Sequence, residues 1–154
     1  MIPIYTVHLK EKSMNKKYCF VDSVDWIAIL NADDSLHQKA DTEFKKRMDS
    51  GFHFLTSTAV LNEVANALSR PKFRATVVEF YRRLKSSRRV DIIFVDESLW
   101  SAGWELFEDR PDKGWSLTDC ISMIIMQRHR IRNAFTNDKH FEQAGFRALL
   151  RPTI

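Results

Sequence analysis

Apolar positions along this chain switch repeatedly between short β-prone runs and helical spacing. Tyr18 to Val21 (YCFV) is a strand-like run that stops at Asp22, and Val24, Ile27, Ala28 and Leu30 follow at helical intervals. After a turn over Asn31 to Ser35, Leu36, Ala40 and Phe44 recur every four residues among Lys45, Lys46 and Arg47, which predicts an amphipathic helix closed by Gly51. Phe52 to Leu55 predicts a second strand. Thr56, Ser57 and Thr58 offer caps to a helix carrying Val60, Leu61, Val64 and Leu68, which must end near Arg70 because Pro71 follows. Phe73, Val77, Phe80, Tyr81 and Leu84 predict another helix, and Val90 to Val95 (VDIIFV) has the β-branched density of a central strand. A helix over 97–109 is expected to turn Leu99, Trp100, Gly103, Leu106 and Phe107 to the core. Arg110 to Gly114 is a loop, and Ser116 with Asp119 forms a capping-box pattern ahead of Ile121, Ile124 and Ile125 on a helix running to about Arg130. Asn133 to Thr136 is a short strand, Asp138 follows it, and Phe146 to Leu150 is a last extended piece. Strands and helices alternate, so the expected architecture is a three-layer α/β/α fold with a central, mainly parallel sheet.

Composition narrows the class. The 154 residues are 44% hydrophobic and 29% charged, an ordinary globular balance for one domain, taken as 18–154. Cys19 and Cys120 lie in apolar stretches and point to a reducing, cytoplasmic compartment rather than a disulfide framework. The longest apolar run, Ile121 to Met126, is too short to span a bilayer. Residues 1–17 lack an apolar signal-like stretch and read as an N-terminal extension, with Met14 as an alternative start. The net charge of +4 favours a polyanionic partner, and the basic groups Arg82, Arg83, Lys85, Arg88, Arg89 and Arg128, Arg130, Arg132, Arg147 are either solvated helix faces or a phosphate grip.

Four acids stand where an open parallel sheet places its functional edge, beyond the carboxyl ends of the strands. Singly, each has a plain structural role. Asp22 can cap the helix after it, Asp119 can serve the capping box, Glu63 can be a solvated helix residue, and Asp138 can form a turn with Asn137. Jointly they make a cluster whose charges repel unless protonated or bound to a cation. Oxygen-only ligands select hard ions, so Mg²⁺, with Mn²⁺ as substitute, is the expected metal. One such ion or a pair can activate water against a phosphodiester.

The segments FVDSVDWIAIL with Asp22, TSTAVLNEVANAL with Glu63, WSLTDCISMIIMQRHRI with Asp119 and AFTNDKHFEQAGF with Asp138 together resemble PIN-domain nucleases, in particular the VapC-type toxins of toxin–antitoxin pairs. The resemblance covers Tyr18 to Leu150. Its most specific pieces are SLTDC and the spacing of Thr136, Asp138 and Phe141. It implies an α/β/α fold, Mg²⁺- or Mn²⁺-dependent cleavage of RNA, a cognate antitoxin that blocks the site, and a homodimer. It also implies Asp22 and Asp119 as principal metal ligands, Glu63 supporting the metal or placing water, and Asp138 completing the quartet. Thr118 and Thr136 would orient carboxylates, or serve simply as a helix-terminal hydroxyl and a strand residue. Two features depart from the pattern: the leader has no counterpart, and Asn137 stands where an apolar residue is usual.

Competing readings remain at this point. His53, His129 and His140 would serve a metal-free ribonuclease as acid and base, and His129 lies at a helix end where its charge suits the dipole. Trp26, Trp100, Trp104 and Trp115 are expected as core and interface anchors rather than base-stacking platforms. A catalytically silent PIN-like module that binds RNA or a partner, and a nuclease acting on structured DNA, are the two alternatives to a ribonuclease.

Overall fold

A computed structural model describes residues 17–152. The expected N-terminal extension, and Met14 as a start, lie outside the described residues apart from Lys17. Five strands form one sheet, β1 (Tyr18–Val21), β2 (His53–Ser57), β3 (Val90–Ile93), β4 (Asn133–Phe135) and β5 (Arg147–Ala148). Their order is β3-β2-β1-β4-β5, and every neighbouring pair is parallel. The helices between them are α1 (Ser23–Leu30), α2 (His37–Asp49), α3 (Thr58–Ala67), α4 (Pro71–Ser86), α5 (Glu97–Asp109), α6 (Leu117–Arg128) and α7 (Lys139–Gln143). The expected α/β/α architecture is therefore present, with a sheet that is wholly parallel among the described residues.

Central position explains the sequence of β1: Cys19, Phe20 and Val21 are all buried, as a strand covered on both faces requires. Phe54 of β2 and Phe135 of β4 lie on one face of the sheet and meet edge to face at 6.5 Å. Phe44 of α2 stacks on Phe54 at 4.3 Å, and Trp26 of α1 packs between Phe44 and Phe80 of α4. This aromatic block fixes α1, and with it the chain immediately after β1. Trp26 also donates its indole N–H to Thr56 Oγ1, whose own hydroxyl bonds the Val21 carbonyl, so the ends of β1 and β2 are tied together under the site.

Two expectations change. The run after Val90 is an edge strand, not a central one. Its β-branched residues report coverage by α4, against which β3 packs, and coverage does not specify a place in the sheet order. In α5, Leu99 and Gly103 face inward as expected, while Trp100 is 50% exposed, Phe107 is 41% exposed and Trp104 joins them on the outside. Leu99, Gly103 and Leu106 share one helical row and Trp100, Trp104 and Phe107 share the next. Both rows have the same period, so spacing alone does not choose the buried one. Of the basic group, Arg89 is withdrawn from the surface: its guanidinium bonds the carbonyls of Met48 and Phe52 and closes the α2–β2 connection, where Gly51 sits at φ 84°.

Gly103 marks the closest approach of α5 to α6, since a Cβ there would lie 2.4 Å from Ile121 Cγ1 and 3.4 Å from Ile121 Cα. Replacing Gly103→Val should cost about 1–3 kcal/mol in urea unfolding through overpacking. In a double-mutant cycle with Ile121→Ala the pair should lose less than the sum of the single variants.

Candidate active site

Parallel strands deliver their successors to one edge of the sheet, and β1 and β4 are neighbours with Val21 opposite Phe135. Asp22 and Thr136 therefore emerge side by side. Asp22 begins α1 as its N-cap residue, yet its side chain makes no capping hydrogen bond, and it is only 2% exposed. The capping explanation for this acid fails, and its carboxylate is left to the site. Thr136, fully buried, points its hydroxyl at Asp22 Oδ2 at 3.4 Å and accepts the Asp138 backbone N–H at 3.0 Å. Thr118, by contrast, makes no side-chain bond to an acid among the described residues.

Asp119 and Asp138 combine plain and site roles. Asp119 Oδ2 accepts the Ser116 N–H while Ser116 Oγ accepts the Asp119 N–H, completing the predicted capping box at the start of α6. Asp138 caps α7 by accepting the His140 N–H through Oδ1. Their remaining capacity faces His140, whose Nδ1 lies 3.0 Å from Asp119 Oδ2 and 3.3 Å from Asp138 Oδ2. Asp119, Asp138 and His140 each present a ligand atom within 4.8 Å of the others. Glu63, on α3, stands farther out, with Oε2 accepting the Ser23 hydroxyl at 2.7 Å.

Electrostatics link the acids. Burial above all, then repulsion from Asp119, Asp138 and Glu63, pushes the Asp22 carboxyl up to about 7. Asp119 is also raised, by burial, against the opposing pull of the Ser116 N–H and His140. Asp25, in the first turn of α1, is fully buried with no partner at good hydrogen-bond geometry, and burial followed by repulsion from Asp22 pushes it up to about 8 against a weaker pull from the Thr136 hydroxyl. Buried, mutually repelling carboxylates with an orphaned member suit a divalent cation, and the donors are mostly hard oxygen with one imidazole nitrogen.

Sequence reasoning singled out Asp22, Glu63, Asp119 and Asp138, of which the structure groups Asp119 and Asp138 with His140; it missed Asp25 altogether and placed His140 in a metal-free scheme. The available signals were a charged residue three positions before Ala28 on the buried stripe of α1, and a histidine two residues after Asp138. Of the three histidines considered for that scheme, His140 is the one grouped with the acids. His53 is in β2, with its ring 5.7 Å from that of Tyr18. His129 ends α6, where burial first and Arg128 second lower its pKa, so the expected favourable charge at that helix end is opposed. Trp26 and Trp115 are core residues as expected, and Trp100 and Trp104 are not.

Comparison with known proteins bears on the family and the fold. The PIN domain family model matches residues 19–147. The 23S rRNA-specific endonuclease VapC20 of Mycobacterium tuberculosis, from strains CDC 1551 and H37Rv, is 31% identical over 128 residues, which span 82% of this chain and 94% of the relative. The crystal structure of Mycobacterium tuberculosis VapC20, described as a sarcin–ricin loop cleaving toxin, superposes with a TM-score of 0.74 at 29% identity, covering 87% of this chain and 99% of that one.

The pKa shifts set the pH dependence of the metal-free protein. A carboxyl whose folded pKa is raised stabilises the fold fully below its unfolded value, and that contribution is lost as pH rises through the folded value. With Asp22 near 7 and Asp25 near 8, the melting temperature in chelator should fall between about pH 4 and pH 8. Asp25→Asn should raise the melting temperature at pH 8 and flatten the slope. An unchanged pH profile in that variant would contradict the assignment of Asp25 as a buried, unpartnered acid.

Proposed function

Since the chain belongs to the PIN-domain family as a VapC-type ribonuclease, we propose that it is the toxin of a toxin–antitoxin pair and cuts a structured loop of ribosomal RNA at the acidic edge of its sheet. The observation that carries the site assignment is the joint burial of Asp22 and Asp119 at one sheet edge, with Thr136 bonding Asp22 and the Asp138 backbone at once. PIN nucleases act with divalent metal. We assign Mg²⁺, with Mn²⁺ as substitute, to Asp22, Asp119 and Asp138, with Glu63 at the rim placing the attacking water.

A divalent cation in this position supplies charge neutralisation for the phosphate and an activated water. The chain supplies the geometry. Thr136 steadies Asp22, the capping box holds Asp119, and α7 fixes Asp138 at its first turn. Exposed Arg82, Lys85 and Arg88, between the end of α4 and the start of β3, and Arg132 and Arg147, at the starts of β4 and β5, lie at the amino-terminal edge of the sheet, opposite the acids, so they add long-range attraction for a polyanion rather than a phosphate grip at the site. Specificity for a loop rather than a sequence follows from reading shape and splayed bases.

The same reading includes a cognate antitoxin and a homodimer. Support for protein contact comes from the outward row of Trp100, Trp104 and Phe107 on α5, since solvent-facing aromatics at helical spacing are enriched in interfaces. Two free, buried cysteines support a cytoplasmic setting, and no helix among the described residues is long and apolar enough to cross a membrane.

Asp22→Asn and Asp119→Asn should each reduce cleavage of a large-subunit rRNA fragment by at least about 100-fold in Mg²⁺, without lowering the melting temperature. Digestion of that RNA beside a DNA of the same sequence distinguishes the nuclease types. Cleavage of the DNA alone, or RNA binding with no metal-dependent cleavage by the wild-type protein, would contradict the proposal.

A further inference from the structure

Among the described histidines, His140 is the one whose Nδ1 is turned to two acids of the proposed centre. We propose that His140 is a direct metal ligand together with Asp119 and Asp138, and that this nitrogen shifts the centre's affinity toward Mn²⁺ over Mg²⁺. The inference rests on the metal-dependent reading of the site and specifies which side chains hold the ion.

The distances support it. Neighbouring ligands of an octahedral ion with bonds of about 2.1 Å lie roughly 3.0 Å apart. His140 Nδ1 lies 3.0 Å from Asp119 Oδ2, a hydrogen-bonding contact in the absence of an ion, and 3.3 Å from Asp138 Oδ2, and the three ligand atoms lie within 4.8 Å of one another, close enough for one cation to reach all three. The ring is held in that attitude from below. Asp138 Oδ1 fixes the His140 backbone N–H, Phe141 next to it is fully buried, and Gln143 accepts the Trp115 indole N–H at 3.0 Å. On its other side the ring is close to the loop before α6, since a Cβ on Gly114 would lie 3.8 Å from Nε2.

Carboxylate oxygens by themselves suit Mg²⁺ and Mn²⁺ alike, whereas an imidazole nitrogen in the ligand set favours the transition metal.

The test is metal binding by the full chain, measured by calorimetry with Mn²⁺ and with Mg²⁺, and by pulsed EPR of the Mn²⁺ complex. The wild-type spectrum should show coupling to a nitrogen nucleus. His140→Ala and His140→Gln should abolish that coupling and weaken Mn²⁺ by at least about tenfold while changing Mg²⁺ less than about threefold. Absence of nitrogen coupling in the wild-type complex, or equal weakening of the two metals, would overturn the inference and leave His140 as a hydrogen-bonding support for the acids. Asp119→Asn separates this from the broader reading: it should weaken both ions, and if it weakens neither, the metal centre itself is wrong.

Discussion

Like charge confined in a small volume is the constraint on which this molecule is organised. Three carboxyls, those of Asp22, Asp25 and Asp119, are buried at or beside one edge of the sheet, and repulsion adds to desolvation in raising Asp22 and Asp25. No set of hydrogen bonds in the fold fully relieves this, as the unbonded oxygens of Asp25 show. A protein that retains such a group carries a local instability that ligand binding can offset, and a divalent cation with an RNA phosphate beside it is the ligand whose charges match.

The rest of the fold holds this edge in place. Parallel pairing of β1 with β4 brings Asp22 and Thr136 together, and the Trp26 block anchors α1 so that the chain after β1 cannot relax away from its neighbours. Capping boxes and N-caps are common ways to start helices, but here the residues that start α6 and α7 are also those that face the site. Fixing the helix ends therefore fixes the acids, which is how side chains 116 positions apart in sequence, Asp22 and Asp138, come to act on one another.

Much of this was legible in the chain. The alternation of apolar runs predicted the order of strands and helices, Ser116 with Asp119 predicted a cap, and the positions of Asp22 and Asp138 relative to strand ends predicted that they share one edge of the sheet. What was not legible depends on neighbours that periodicity does not report. Two adjacent stripes of α5 have the same spacing, and only the packing of Gly103 on Ile121 shows which one turns inward. The strand after Val90 reads as central because α4 covers it, although it lies at the sheet's end. Asp25 is hidden within a helical pattern whose other members are apolar, and His140 acquires meaning only when α7 brings it against an acid 21 residues earlier.

The central claim is that the acidic edge is a metal centre, and anomalous scattering from a crystal of the protein soaked in Mn²⁺ tests it most directly. The account predicts a peak bonded to carboxylate oxygens of Asp119 and Asp138, at about 2.0–2.3 Å, on the side of the cluster facing Asp22. A structure at full Mn²⁺ saturation with no peak at that edge, or with the ion bound only elsewhere on the surface, would contradict it.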